Sequence, residues 1–332
     1  MPGGADHATS VVVSAYDEKR WSDLEACLRS LDGQTHPPLE TIVVVDHNIR
    51  LLERVIAAFP NVTAVANDRS RGLAGARNSG IDAAGGNIVA FIDDDARAEP
   101  GWLAALQECF ADPATVGTGG ALLPRWEGAK PRWVPEEFYW VFGCSYTGLP
   151  DRLAPIRNPI GANMAVRASV LRKVGGFREG EGDADAPREI RSRGVVRAAG
   201  NIPDDTDLAI RVRQRVPEAV WLYQPAARVH HTVTRERASL GYFVRRCWEE
   251  GVGKANLACY VGSSEGLSSE RQHLAITLPR GIGRGLRDLL AGDTAGALRA
   301  SAILVGVLSS GTGFLWASLA GFWRHRLNRS RR

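Results

Sequence analysis

The sequence predicts an α/β fold, with a mainly parallel sheet covered by helices and a helical appendage at the C-terminal end. Two observations predict the sheet: short β-branched runs alternate with helical patterns from Ser10 onward, and each run ends in a cluster of polar residues. A third predicts the appendage: Ala300 to Trp323 contains no charged residue.

The strand-like runs are Ser10 to Ala15, Thr41 to Asp46, Val62 to Ala66 and Asn87 to Asp93, with Val116 to Leu122 a weaker one. Between the first two, Trp21, Leu24, Leu28 and Leu31 share one helical face, with Asp17 or Ser22 as a start and Gly33 as a stop. Ala168 to Val174 is a further helical stretch closed by Gly175-Gly176. Residues 178–201 are rich in Gly, Ala and charge without periodicity, which predicts a mobile loop acting as a lid or substrate gate.

The chain has 332 residues, 44% hydrophobic and 23% charged, which excludes disorder over most of its length. Its net charge is only +4, yet from Arg271 onward ten Arg face two Asp, leaving the body at about −4. That asymmetry argues against a nucleic-acid binder and assigns the basic tail to an anionic partner, a membrane surface. Five scattered cysteines without a Cys-x-x-Cys pair indicate neither a zinc knuckle nor a disulfide framework, so a reducing cytosol is the simplest home. Residues 1–9 lack an apolar run and predict a flexible N-terminus rather than a signal peptide.

Parallel strands end at one edge, and ligands gather in the crevice beyond their carboxyl ends. Tyr16-Asp17-Glu18, Asp46-His47-Asn48, Asn67-Asp68 and Asp93-Asp94-Asp95 would all meet there. In the last of these an apolar run ends in three carboxylates, and side-chain alternation would put Asp93 and Asp95 on one face. A divalent cation relieves such repulsion, and hard oxygen ligands favour Mg²⁺ or Mn²⁺ over zinc. The bland alternative is a solvated acidic turn. No P-loop is present and no Gly-x-Gly-x-x-Gly follows the first strand, so phosphate handling falls to metal plus Arg.

Taken together, Val11 to Glu18, Val43 to Asp46, Arg71 to Gly80, Asp93-Asp94-Asp95 and Asp204-Asp205-Thr206-Asp207-Leu208 resemble an inverting glycosyltransferase of family 2. The resemblance covers roughly residues 10 to 250 and implies the Rossmann-like GT-A (nucleotide-diphosphosugar-transferase) fold. It implies that Ala15, Tyr16 and Glu18 line the nucleoside pocket and that Asp46 reads the base, usually uracil. Asp68, Gly72 and Arg77 match positions around the ribose and diphosphate. Asp95 would be the main metal ligand, Asp93 would contact ribose or metal, and Asp94 would join the donor side. His231 matches a histidine near the metal or diphosphate, although adjacent histidines at a strand end are as often polar filler. His47-Asn48 departs from the family's usual loop after Asp46.

On the acceptor side, the resemblance makes Asp205 the base that takes the acceptor proton, with Asp204 beside it. The alternative for both is an N-cap and first-turn pair. Asn163 matches the acceptor-side segment, and Arg245 and Arg246 a region closing over the diphosphate. Trp126, Trp133, Trp140 and Tyr146 would stack on sugar or a prenyl chain, or serve as core. Pro135 to Trp140 with Gly143-Cys144 resembles prokaryotic glucuronosyltransferases acting on prenyl-linked sugars.

The expected organisation is therefore a donor-binding half at 10–123, an acceptor-binding and catalytic half at 124–260, and a helical membrane-associating tail at 261–332. As a helix, Ala300 to Trp323 would extend about 36 Å, enough to span a bilayer. Five Arg follow it, and Ser309 to Gly313 interrupts it, so an in-plane or re-entrant hairpin broken near Gly311 on the cytoplasmic face is expected. Leu278 to Leu298 reads as an interfacial amphipathic helix. A soluble helical hairpin for homodimerisation is the alternative. The function expected is metal-dependent transfer from a UDP-sugar, glucuronate among the candidates, to a glycan or lipid-linked sugar. A phosphohydrolase or an inactive nucleotide-sugar or lipid-binding adaptor are the competing classes.

Overall fold

The computed structural model describes residues 7–179, 203–261 and 273–329. Most of the loop expected at 178–201 lies outside them, as do residues 1–6 of the expected N-terminal segment. Four parallel strands carry the first half: β1 (Thr9–Ala15), β2 (Glu40–Val45), β3 (Thr63–Ala66) and β4 (Ile88–Asp93). Then follow β5 (Ala96–Ala98), β6 (Thr115–Trp126), β7 (Ala154–Pro155), β8 (Asn163–Arg167) and β9 (Val220–Val233). The strand order is β3-β2-β1-β4-β8-β6-β9-β5, with β7 against β9. The sheet is parallel through β4, and β8 then enters antiparallel to it.

The central strands are apolar at nearly every position because both faces are covered. Val11, Val13, Val43, Val45, Ile88, Ala90 and Ile92 face one core, where Leu24, Leu28 and Leu31 of helix α1 (Trp21–Asp32) pack. Val12, Ile42, Val44, Val89 and Phe91 face the opposite core, beneath Ala76 and Ile81 of α3 (Leu73–Ala83). Helix α2 (Ile49–Ala58) joins β2 to β3. The first core also holds Trp102 and Leu106 of α4 (Trp102–Glu108). The second takes α5 (Ala168–Val174) and α6 (Asp204–Arg215) through Leu171, Leu208 and Val212. Each such side chain contributes about 1.5–3 kcal/mol on burial.

The described residues form two compact units that do not follow the consecutive halves expected. One comprises residues 7–123, Pro150–Glu179 and Asp204–Thr232; the other comprises Pro124–Leu149 and the described part of Val233–Arg332. The physical reason is that β8 and β9 pair back into the first sheet.

In the second unit, α7 (Leu240–Val261), α8 (Leu278–Leu290) and α9 (Ala295–Arg329) pack with a short helix at Glu136–Phe142. The aromatic residues expected to stack on ligand contribute largely to this core. Trp126 lies edge-on to Phe142 with centroids 5.3 Å apart, and Trp133 edge-on to Phe243 at 5.4 Å. The break expected near Gly311 is absent, because α9 runs unbroken from Ala295 to Arg329. Its small residues serve close packing instead: a Cβ on Gly313 would collide with the Trp248 carbonyl, and one on Gly251 with the Ser310 carbonyl. Packing thereby offsets the roughly 1 kcal/mol that each helical glycine costs.

Candidate active site

The parallel strands end in register, with Ala15 opposite Val45, Val45 opposite Ala66 and Ser14 opposite Asp93. The ladder continues one residue further, as Asp46 N donates to the Ala15 carbonyl at 2.8 Å and Asn67 N to the Val45 carbonyl at 2.9 Å. The polar residues that follow therefore emerge side by side on one edge.

Asp46 is held by three donors. Asn67 Nδ2 donates to its Oδ1 at 2.6 Å, His47 Nδ1 lies 2.8 Å from the same oxygen, and the Gly72 backbone N–H donates to Oδ2 at 3.0 Å. Burial alone would raise its pKa, but the hydrogen bonds from Asn67, His47 and Gly72 outweigh it and hold the carboxyl below its ordinary value. Gly72 can present its N–H because its φ of 118° is open to glycine. His47 takes a left-handed φ of 52°, which His tolerates better than most residues. Asn48 caps α2 by accepting from Leu51 N and donates through Nδ2 to the Tyr16 carbonyl at 3.2 Å, so the unusual His47-Asn48 pair ties two loops together.

Tyr16 and Glu18 are exposed beyond β1, and Ala15 is buried beneath them. Asp68 is exposed and accepts from Ser79 Oγ at 3.2 Å. Arg77, buried on α3, reaches Asp93 Oδ1 with Nη2 at 3.4 Å and passes over the Phe177 ring at 5.2 Å.

Asp93 ends β4, whereas Asp94 and Asp95 form a turn before β5. Asp93 and Asp95 nevertheless converge, joined by His231: each offers a ligand atom, all within 4.8 Å of one another. The antiparallel pairing of β5 with β9 places Ala96 opposite His231 and Arg97 opposite His230. Strand alternation then separates the two histidines. His231 is buried with Nε2 3.2 Å from Asp95 Oδ1, while His230 turns to Glu99 at 3.0 Å. Burial pushes Asp94 up to about 7, with Arg20 opposing and the neighbouring Asp95 and Asp93 adding to the rise. Asp94 Oδ2 is buried without a hydrogen-bond partner among the described residues. Crowded carboxylates, one imidazole and a buried oxygen wanting a positive partner fit a hard divalent cation.

Asp204 and Asp205 open α6. Asp205 Oδ1 accepts from Thr206 N at 2.6 Å, and Oδ2 from Gly161 N at 3.0 Å. Gly161 also packs on the Arg77 guanidinium, which a Cβ there would meet at 2.9 Å. Burial pushes Asp204 up to about 6, while the nearby charge of Arg77 opposes the rise. Arg77 thus links Asp93 at the sheet edge to the acids of α6.

Asn163 does not present its side chain to the crevice. It is fully buried, accepts from Trp102 Nε1 at 2.8 Å and donates to the Ala121 and Ala227 carbonyls, each at 3.0 Å. Its amide therefore pins β8 between its neighbours. Arg245 and Arg246 lie on α7 in the second unit, where both pair with Glu249. Sequence reasoning missed Arg20, whose Nη2 lies 2.6 Å from Asp94 Oδ1 and 2.5 Å from Asp95 Oδ2. It also missed Asn67 as the brace of Asp46, and Glu179, which accepts from Asn78 and Ser70. The detectable signal for Arg20 was charge balance, since three adjacent carboxylates require cations nearby.

An α/β sheet bringing a braced aspartate and an acidic cluster to its carboxyl edge, with a second pair of acids opening α6, fits a nucleotide-sugar transferase fold. Comparison with known proteins agrees: residues 10–175 match Glycosyl transferase family 2. A glucosyl-dolichyl phosphate glucuronosyltransferase of Haloferax volcanii is 32% identical over 249 residues, covering 74% of this chain and 75% of that protein. A pre-mycofactocin glycosyltransferase of Mycobacterium tuberculosis is 30% identical over 186 residues, 54% of this chain but only 37% of that protein. Among solved structures, the mannosyltransferase PcManGT from Pyrobaculum calidifontis, in complex with GDP-Man and Mn²⁺, superposes with a TM-score of 0.53. It is 17% identical and covers 93% of this chain and 87% of that one. The chain belongs to glycosyl transferase family 2 and is a glycosyltransferase of the GT-A fold. That membership decides between the expected classes in favour of the transferase.

Asp46 generates a pH prediction. Because its folded pKa is depressed below 3.8, its stabilisation is fully present above that value and lost as pH falls through the lowered pKa. Asp46→Asn should therefore lower the melting temperature more at about pH 7 than at about pH 3. Equal decrements at both pH values, read by circular dichroism, would contradict the assignment.

Proposed function

We propose that this chain is a metal-dependent inverting glycosyltransferase that moves a sugar, glucuronate first among the candidates, from a UDP-sugar to a hydroxyl of a prenyl-linked sugar. The observation that carries the reading is the convergence of Asp93, Asp95 and His231 at the carboxyl edge of the parallel strands. Asp46, charged and braced, is suited to accept the ring N–H of uracil, which cytosine lacks. Tyr16 and Glu18 flank the base, while Gly72, Asp68 and Arg77 border the ribose and diphosphate. Asp95, Asp93 and His231 would hold Mn²⁺ or Mg²⁺, and Asp94 supports them. When bound, the cation supplies neutralising charge for the leaving nucleoside diphosphate.

Asp205 acts as the base. Its Oδ2 is oriented by the Gly161 N–H, and it takes the proton of the acceptor hydroxyl as that oxygen attacks the anomeric carbon. The bond to the diphosphate breaks on the opposite face, and its electron pair leaves with the nucleotide. Asp204, beside it, orients the acceptor. The glucuronate and lipid-linked acceptor are supported by the likeness to the glucosyl-dolichyl phosphate glucuronosyltransferase of Haloferax volcanii.

The second unit supports attachment to a membrane, which we read as its cytoplasmic face. Ala295–Ala320 is long and apolar enough to cross a membrane, with a mean hydropathy of 1.6. Leu298, Leu304, Leu308, Leu315 and Leu319 of α9 are exposed along one stripe. Leu286 and Leu290 of α8 are exposed as well, among Arg280, Arg284 and Arg287. An apolar face with adjacent arginines suits anionic lipid.

Two experiments test these readings. With a panel of UDP-, GDP- and dTDP-sugars, one UDP-sugar should release nucleoside diphosphate with Mn²⁺ or Mg²⁺ and not with EDTA. Asp205→Asn should slow transfer by about 10²–10⁴-fold while UDP affinity changes little. Release that persists in EDTA, or loss of UDP binding in the variant, would sink the assignment. In co-sedimentation, vesicles containing phosphatidylglycerol should capture the full chain, and Leu304→Glu/Leu308→Glu should cut capture by about tenfold or more. Equal recovery of both proteins in the supernatant would exclude this surface.

A further inference from the structure

Arg20, which the sequence did not mark as a site residue, is placed against two of the expected site carboxylates. It ends a short helical turn, Glu18–Arg20, that Asp17 caps by accepting from Lys19 N at 3.0 Å, immediately beyond β1. From there its Nη2 bridges Asp94 Oδ1 at 2.6 Å and Asp95 Oδ2 at 2.5 Å, two carboxylates that are both almost wholly buried. Nη1 donates to Tyr16 Oη at 3.3 Å, and the guanidinium stands 5.4 Å from the centre of that ring. The Tyr16 contacts fix the guanidinium independently of the acids. Arg20 takes one oxygen of Asp95, and the other faces His231.

We propose that Arg20 is the built-in counter-ion of the metal site, a positioning residue that orients Asp95 and keeps the site weak for a divalent cation until a nucleoside diphosphate arrives. The inference rests on the reading of Asp93, Asp95 and His231 as a metal site. Its basis is the charge count. Arg77 pairs with Asp93, and Arg20 with Asp94 and Asp95, so the two guanidiniums offset most of the negative charge of the three carboxylates. A lone divalent ion meets only the remainder, whereas an ion carried with a diphosphate brings its own anionic partner. Removing Arg20 withdraws one positive charge from beside Asp94 and Asp95, and attraction between charges this near and this buried is only weakly screened.

Mn²⁺ titrated into the full chain, with free ion read by electron paramagnetic resonance, tests this. Arg20→Gln should bind Mn²⁺ about tenfold more tightly than wild type in the absence of nucleotide, and UDP should then enhance Mn²⁺ binding less than it does in wild type. Arg20→Lys, which keeps the charge, should stay within about threefold of wild type. Arg20→Gln/Asp94→Asn, which removes one charge of each sign, should return close to wild type and serves if the single variant does not fold. Unchanged or weaker Mn²⁺ binding in a folded Arg20→Gln, or a double variant far from wild type, overturns the role of Arg20. Absence of Mn²⁺ binding in wild type with UDP present overturns the metal site itself, a different pattern.

Discussion

Crowding of negative charge at the end of β4 is the constraint around which the rest of the site is arranged. Carboxylates about 4 Å apart at a partly shielded position repel by on the order of 4 kcal/mol. Asp93, Asp94 and Asp95 are consecutive, and two of them are almost completely buried. Such an arrangement persists only with cations supplied from elsewhere in the fold. α3 supplies Arg77, and the turn after β1 supplies Arg20. The same guanidiniums also act beyond the cluster: the charge of Arg77 opposes the upward pull of burial on Asp204, and Arg20 donates to Tyr16 Oη. Charge compensation thus connects the turn after β1, the acidic cluster and the acids of α6 without a dedicated scaffold.

The sheet makes this possible through two different registers. The parallel strands end together, which sets Asp46, Asn67 and Asp93 along one edge. The antiparallel return of β9 along β5 then brings His231 to Asp95 from a distant part of the chain. A one-residue slip of β9 would exchange His231 for His230, whose present partner is Glu99 rather than the acidic cluster. The buried amide of Asn163 helps hold these strands, since its three hydrogen bonds join β8 to Trp102 and to the carbonyls of Ala121 and Ala227.

Local pattern made the sheet edge legible before any coordinates. β-branched runs marked the four parallel strands to within a residue at most ends, and their polar continuations marked the crevice. Gly72 was visible as a motif glycine, but its function as donor to Asp46 depends on a φ of 118° that composition does not disclose. Three features were not legible, each because long-range packing decided them. Arg20 points inward only because Tyr16 and the acids receive it. Asn163 is buried because β6 and β9 close around it. Ser309 to Gly313 continues a helix rather than breaking it, because Gly313 and Gly251 allow α7 and α9 to approach. Glycine in a helix reads locally as a stop and globally as a contact surface, and only the partner decides.

The proposed divalent-cation site of Asp93, Asp95 and His231 lies at the carboxyl edge of the sheet. Crystals grown with Mn²⁺ and UDP, measured at the manganese absorption edge, test it directly. An anomalous peak bonded to Asp95 and flanked by Asp93 and His231 is the result expected. A peak elsewhere, or bound nucleotide with no metal among Asp93, Asp95 and His231, would contradict it.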